Sequence, residues 1–135
     1  MEQKDFRELI DHCRNMAAQL LLQLDGAFYP FGATISNEGE LLPVGYYGDD
    51  ESPLPETVLK ELKRAFEVQI LDKKIRAYAI AYDCLTKKDD ASEKKDTVAI
   101  ACYSKETEQR ITCFYQYKLS AGKLEFEEPW GIIAD

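Results

Sequence analysis

The chain has 135 residues, 45% of them hydrophobic, with 8 Tyr, 6 Phe and 1 Trp. That length suits one domain, and that composition excludes intrinsic disorder. A net charge of -8, from 17 basic and 25 acidic residues, argues against nucleic acid as a direct partner. No apolar run approaches the ~20 residues needed to span a bilayer. No signal peptide is readable at Met1–Asp5. A chain of this size with a full core does not require its four cysteines to pair, so a reducing, cytoplasmic compartment is expected.

The first segment reads as a helix. Phe6, Leu9, Ile10, Cys13, Met16, Ala17, Leu20, Leu21 and Leu24 recur at spacings of three and four, with Asp25-Gly26 as the stop. From Ala27 the period changes. Proline is excluded from a central ladder, so a strand is expected after Pro30 and up to Ser36. Asn37-Glu38-Gly39-Glu40 then turns the chain into a second strand from Leu41 to Tyr47. Pro55 suits the first turn of a second helix, which carries Val58, Leu59, Leu62, Ala65, Phe66 and Ile70 and ends near Asp72-Lys73-Lys74.

The remainder reads as strands at Ile75–Leu85, Thr97–Ser104 and Arg110–Leu119, with a short fourth near Leu124–Glu127. Ala77, Ala79 and Ala81 alternate with Tyr78, Ile80 and Tyr82, and Ala99 and Ala101 with Val98, Ile100 and Cys102. Each strand thus has a small face and a bulky face, and the alanines are expected to let a helix come close. Residues 86–96, with balanced charges, are expected to form a mobile hairpin loop. The chain reads as a single α+β domain, 1–135, in the order α-β-β-α-β-β-β with an optional last strand. Consecutive strands without crossover helices imply an antiparallel sheet.

This order is similar to that of the profilin-like and roadblock-like folds, a likeness of topology that carries no function. Phe31-Gly32-Ala33-Thr34-Ile35, Gly39-Glu40 and Val44-Gly45-Tyr46-Tyr47-Gly48-Asp49-Asp50 also resemble a family of uncharacterised small bacterial proteins. Ile75-Arg76-Ala77 and Asp96-Thr97-Val98-Ala99-Ile100 extend that resemblance. It implies an α+β fold and carries over no functional residue.

Chemistry is hard to find in these residues. The four cysteines, Cys13, Cys84, Cys102 and Cys113, form no C-x-x-C pair, and three lie in apolar strand-like runs, where a thiol behaves as a small hydrophobe. His12 and Cys13 are neighbours on a helix and point about 100° apart, so they are not a nucleophile and its base. There is no G-x-S-x-G, no phosphate loop and no spaced metal-ligand set. No catalytic residue, cofactor or metal is expected.

Two features remain. Residues 15–59 hold seven acids and no lysine or arginine, whereas the rest of the chain has 17 bases and 18 acids. Tyr46 and Tyr47 lie beside the densest acids, Asp49, Asp50 and Glu51, and these five are the candidate partner-binding residues. An acidic solubilising face is one reading; a surface that steers a basic protein into contact is the other. Tyr78, Tyr82, Tyr103, Tyr115 and Tyr117 occupy the later strands, and tyrosine suits positions with one apolar and one wet end. If both helices cover one face of the sheet, the other face needs a homodimer or a partner. The expected function is a non-catalytic protein-binding module, of the immunity or chaperone type. The alternatives are a small-molecule sensor or enzyme with a pocket between helix and sheet, and a dimeric assembly subunit.

Overall fold

A computed structural model describes residues 4–24, 26, 28–45, 54–87, 89–91 and 93–134. It contains α1 (Lys4–Leu24), β1 (Phe31–Ser36), β2 (Leu41–Val44), α2 (Pro55–Leu71), β3 (Ile75–Thr86), β4 (Lys95–Ser104), β5 (Gln109–Ser120), β6 (Lys123–Phe126) and β7 (Trp130–Ala134). The strands form one antiparallel sheet in the order β2-β1-β3-β4-β5-β6, with β7 beside β5 next to β6. The architecture is α+β in the order read from the sequence, with β7 added. Gly131 within that strand and Pro129 just before it obscure its signal.

The two helices lie on opposite faces of the sheet. Cross-strand partners share a face, so the register assigns every side chain. On one face, α1 buries Leu9, Cys13, Ala17 and Leu21 against Ala33 and Ile35, Ala77, Ala79 and Ala81, and Val98, Ile100 and Cys102. On the other, α2 buries Val58, Leu62, Phe66 and Ile70 against Ile75, Tyr78 and Ile80. The expectation that the alanines of both strands meet one helix therefore needs correction. Ala79 pairs with Cys102 and Ala81 with Ile100, so the small face of β3 continues into the bulky face of β4. Ala99 and Ala101 point the other way, beside Tyr82 and Ile80.

Two close contacts fix the helices. Asp5 is buried at the start of α1, where the Arg76 guanidinium grips both its oxygens, Nε to Oδ2 at 2.9 Å and Nη2 to Oδ1 at 3.0 Å. Arg76 Nη1 also donates to the Asn37 carbonyl at 3.3 Å, which ties the β1–β2 turn to the same point. That turn depends on Gly39 at φ +90°. Gly32 lies beneath α2, where a Cβ would come 2.6 Å from Phe66 Cε2 and 2.8 Å from the Ala79 carbonyl oxygen.

Other details differ from the sequence reading. Leu24 is exposed at the end of α1, and Ala65 is exposed on α2. Thr86, Lys95 and Asp96 belong to the ladder rather than to the hairpin loop. The loop is shorter because Thr86 is held at both ends: its hydroxyl bonds that of buried Thr97, and its carbonyl accepts from Gln116 Nε2 at 3.1 Å. Cys13 and Cys102 are buried, whereas Cys84 and Cys113 are only half-buried. Burial pushes the Cys13 thiol up to about 12 and the Cys102 thiol well above its usual value.

Two predictions follow from this packing. Gly32→Ala should lose about 1–3 kcal/mol in urea denaturation, the usual cost of overpacking. Combined with Phe66→Leu, the loss should be less than the sum of the two single losses, because the smaller side chain makes room; strict additivity would show that the contact is not what requires glycine. In thiol labelling of the native protein, Cys84 and Cys113 should react first, and Cys13 and Cys102 only on unfolding. Fast native labelling of Cys13 or Cys102 would contradict the burial beneath α1.

Candidate functional site

The residues singled out from sequence, Tyr46, Tyr47, Asp49, Asp50 and Glu51, all lie outside the described residues. The later tyrosines divide between the faces. Tyr115 and Tyr117 face α1, where Tyr117 donates to Asp83 Oδ1 at 3.1 Å. Tyr78, Tyr82 and Tyr103 face the α2 side. His12 is half-buried among Met16, Leu20, Phe31, Pro43 and Val44. Its Nε2 has no hydrogen-bond partner among the described residues, and burial lowers its pKa, so it is a neutral packing group. Among the described residues no group of three or more His, Cys, Asp or Glu is arranged to hold a metal ion. No helix among them is long and apolar enough to cross a membrane.

The exposed feature of the fold follows from where α2 sits. The helix packs chiefly on β3 and β1, and among the described residues no helix lies over the β4-β5-β7 half of its face. The register places three rows across that half. Tyr82, Ala99, Phe114 and Trp130 form one row. Ile80, Ala101, Thr112 and Ile132 form the next, and Tyr78, Tyr103 and Arg110 the third. Small side chains thus floor the middle of the surface, with aromatic rings and isoleucine at its outer margin. Phe114 and Trp130 stack at 5.3 Å, and Ile132 is 56% exposed.

One edge of α2, Leu59, Lys63 and Glu67 at helical spacing of four, borders this half. Glu67 reaches across to β5, accepting from Arg110 Nη2 at 2.9 Å and from the Tyr78 hydroxyl at 2.6 Å. Arg110 Nη1 also donates to the Tyr78 oxygen at 3.1 Å, and its guanidinium lies 4.4 Å from the Tyr103 ring centroid. Burial opposes the charge on Glu67, but the hydrogen bonds from Tyr78 and Arg110 outweigh it and hold the carboxyl below its usual range. Tyr78 shifts up, first through burial and then through its bond to Glu67, so it stays a neutral donor. The cluster is a polar strut that closes one end of the gap between helix and sheet. Beyond it lies a cavity of about 270 Å³, lined by Leu59, Lys63, Ile80, Tyr82, Ala101 and Thr112 besides Tyr78 and Arg110.

Sequence reasoning missed Phe114, Trp130, Ile132, Lys63 and Arg110. Two signals could have pointed to them. Trp130-Gly131-Ile132-Ile133-Ala134 is an uncharged run in a chain that is 31% charged. Leu59, Lys63 and Glu67 form a mixed stripe flanking the apolar stripe of α2.

The strut predicts a pH dependence of defined sign. A carboxylate whose folded pKa is depressed contributes stability above its unfolded pKa, and that contribution is lost as pH falls through the folded value. Glu67→Gln should therefore lower the melting temperature at neutral pH. The gap to the native protein should narrow as pH falls below the ordinary glutamate range and close once the depressed native carboxyl is itself protonated. A gap that stayed constant down to the acid limit would show that the Glu67 charge contributes nothing.

No protein-family model, no curated protein and no solved structure matches the chain. The likeness to profilin-like and roadblock-like folds therefore rests on element order alone.

Proposed function

We propose that this chain is a non-catalytic protein-binding module whose contact surface is the open β4-β5-β7 half of the sheet. The observation that carries this reading is the apolar and aromatic set Tyr82, Phe114, Trp130 and Ile132 on a half-face that no helix among the described residues covers. Exposed apolar surface bounded by polar groups is where proteins meet partners, and Tyr and Trp are enriched there. The charge map supports a basic partner, of the kind an immunity protein or a chaperone would hold. Seven acids and no lysine or arginine occur in residues 15–59, and Glu38, Glu40 and Glu56 of this stretch are exposed. Acidic residues would speed the encounter, and the sheet face would supply the anchors. A photo-crosslinking residue at Ile132 should capture a basic protein in cells, whereas one at exposed Lys60 on α2 should not. Capture from Lys60 alone, or from neither position, would overturn the reading.

A second reading, self-association, is favoured by the contrast between the sheet edges. The β2 edge carries Pro43, a residue that blunts pairing, whereas β7 carries neither proline nor charge, and its Ile132 and Ile133 are both more than half exposed. A two-fold antiparallel pairing centred on Ile132 sets Ile133 of one copy opposite Gly131 of the other, large against small. Light scattering at micromolar concentration should return twice the chain mass of 15.4 kDa, and Ile132→Lys should return the single mass. A native protein that scatters as 15.4 kDa would exclude pairing of β7.

A further inference from the structure

The cavity between α2 and the sheet has a composition that packing does not require. Its walls are apolar: Leu59 from the helix, and Ile80, Ala101 and the tyrosine rings from the sheet. Three of its lining residues, Lys63, Thr112 and Tyr82, carry a polar group that makes no hydrogen bond or ion pair among the described residues, although the Lys63 charge acts on Glu67. Arg110 and Tyr78 also line it, but their polar ends are engaged with Glu67. The lining and its strut together place two cations, Lys63 and Arg110, against one carboxylate, Glu67, in a chain of net charge -8.

Binding sites for small molecules have this form: a concave, mainly apolar wall with a few polar groups that fix orientation. The uncommitted groups are donors. An ammonium offers three N–H bonds and accepts none, and each hydroxyl has one hydrogen to give. Tyr82 is held protonated by burial, so it stays a donor through neutral pH. An anionic, acceptor-only head group matches this set, and an apolar tail matches the walls. A volume of about 270 Å³ lies just under the range of about 300–1,000 Å³ for drug-sized ligands, so the ligand is small.

We propose that the cavity between α2 and β3-β4-β5 is a binding site for a small amphipathic monocarboxylate. The carboxylate sits on Lys63, with Thr112 or Tyr82 donating to its second oxygen, and the aromatic or branched tail lies over Ala101 and Ile80. The Glu67–Arg110 strut forms the closed end of the site and stays in place. This site adjoins the protein contact at Phe114, Trp130 and Ile132 and shares Tyr82 with it, while Lys63 and Leu59 set it on the helix side of the open half-face.

The test uses 4-phenylbutyrate as the probe and its neutral alcohol, 4-phenyl-1-butanol, as the comparator, followed by amide chemical shifts of the full chain. The carboxylate should give saturable shifts at Ala101, Thr112 and Lys63. Lys63→Met, which keeps an apolar stem on an exposed helix position, should weaken binding about tenfold, the scale of one charge-assisted hydrogen bond. Thr112→Val should weaken it less, and the alcohol should bind the native protein about as weakly as the carboxylate binds Lys63→Met. Absence of saturable shifts at Ala101 and Thr112 overturns the proposal. Equal affinity of the two probes, or an unchanged affinity in Lys63→Met, overturns it too, by leaving only apolar contact.

Discussion

The open half-face of this fold follows from the two apolar faces of β3. That strand is buried by α1 through Ala77, Ala79 and Ala81 and by α2 through Tyr78 and Ile80. Each helix is committed to one face, so neither can help the other. The 21 residues of α1 cross the alanines of β3 closely and reach β4 and β5 as well. The 17 residues of α2 sit on larger side chains, over β3 and β1. The same sheet is therefore covered widely on one side and only in part on the other. The partner surface and the cavity both lie in what α2 leaves open.

The position of α2 is set from two sides. Beneath it, Gly32 lets Phe66 settle on β1 at a distance that any side chain would obstruct. Along its edge, Glu67 spans the gap to Arg110 on β5, the side the helix does not cover. The strut is partly exposed, so its value lies in geometry more than in energy. It props the helix edge at a fixed distance from the sheet, which keeps a small apolar space open next to Lys63. The Asp5–Arg76 pair plays the matching part for α1, at the opposite end of β3 from the β3–β4 hairpin.

Most elements were legible because their signals are local. The α1 and α2 stripes, Pro30 before β1, the Gly39 turn and the alternation in β5 each depend on residues a few positions apart. What escaped was non-local. Alternation in β3 and in β4 separates two sets of side chains on each strand, but the face on which a set lies depends on register. Register depends on the length of the hairpin connection, and a shift of one residue would have put Ala99 beside Ala81 instead of Tyr82. The trough floored by Ala99 and Ala101 is a consequence of that parity. β7 escaped for another reason: five residues containing a glycine and preceded by proline form a strand only because β5 offers them an open edge. Tyr46, Tyr47, Asp49, Asp50 and Glu51, which the sequence made conspicuous, lie outside the described residues, whereas the surface the fold exposes draws two or three residues from each of four strands.

The central claim is that the open half of the sheet, with its β7 margin, is where this chain meets another protein. Hydrogen exchange of the backbone amides reads that margin directly. In an edge strand alternate amides point away from the sheet and exchange readily unless a second strand pairs with them. With a captured basic partner added, the amides of Gly131–Ile133 should become more protected, while the β2 edge at Leu41–Val44 remains unchanged. A bound partner that leaves β7 exchanging as fast as in the free chain would contradict the account.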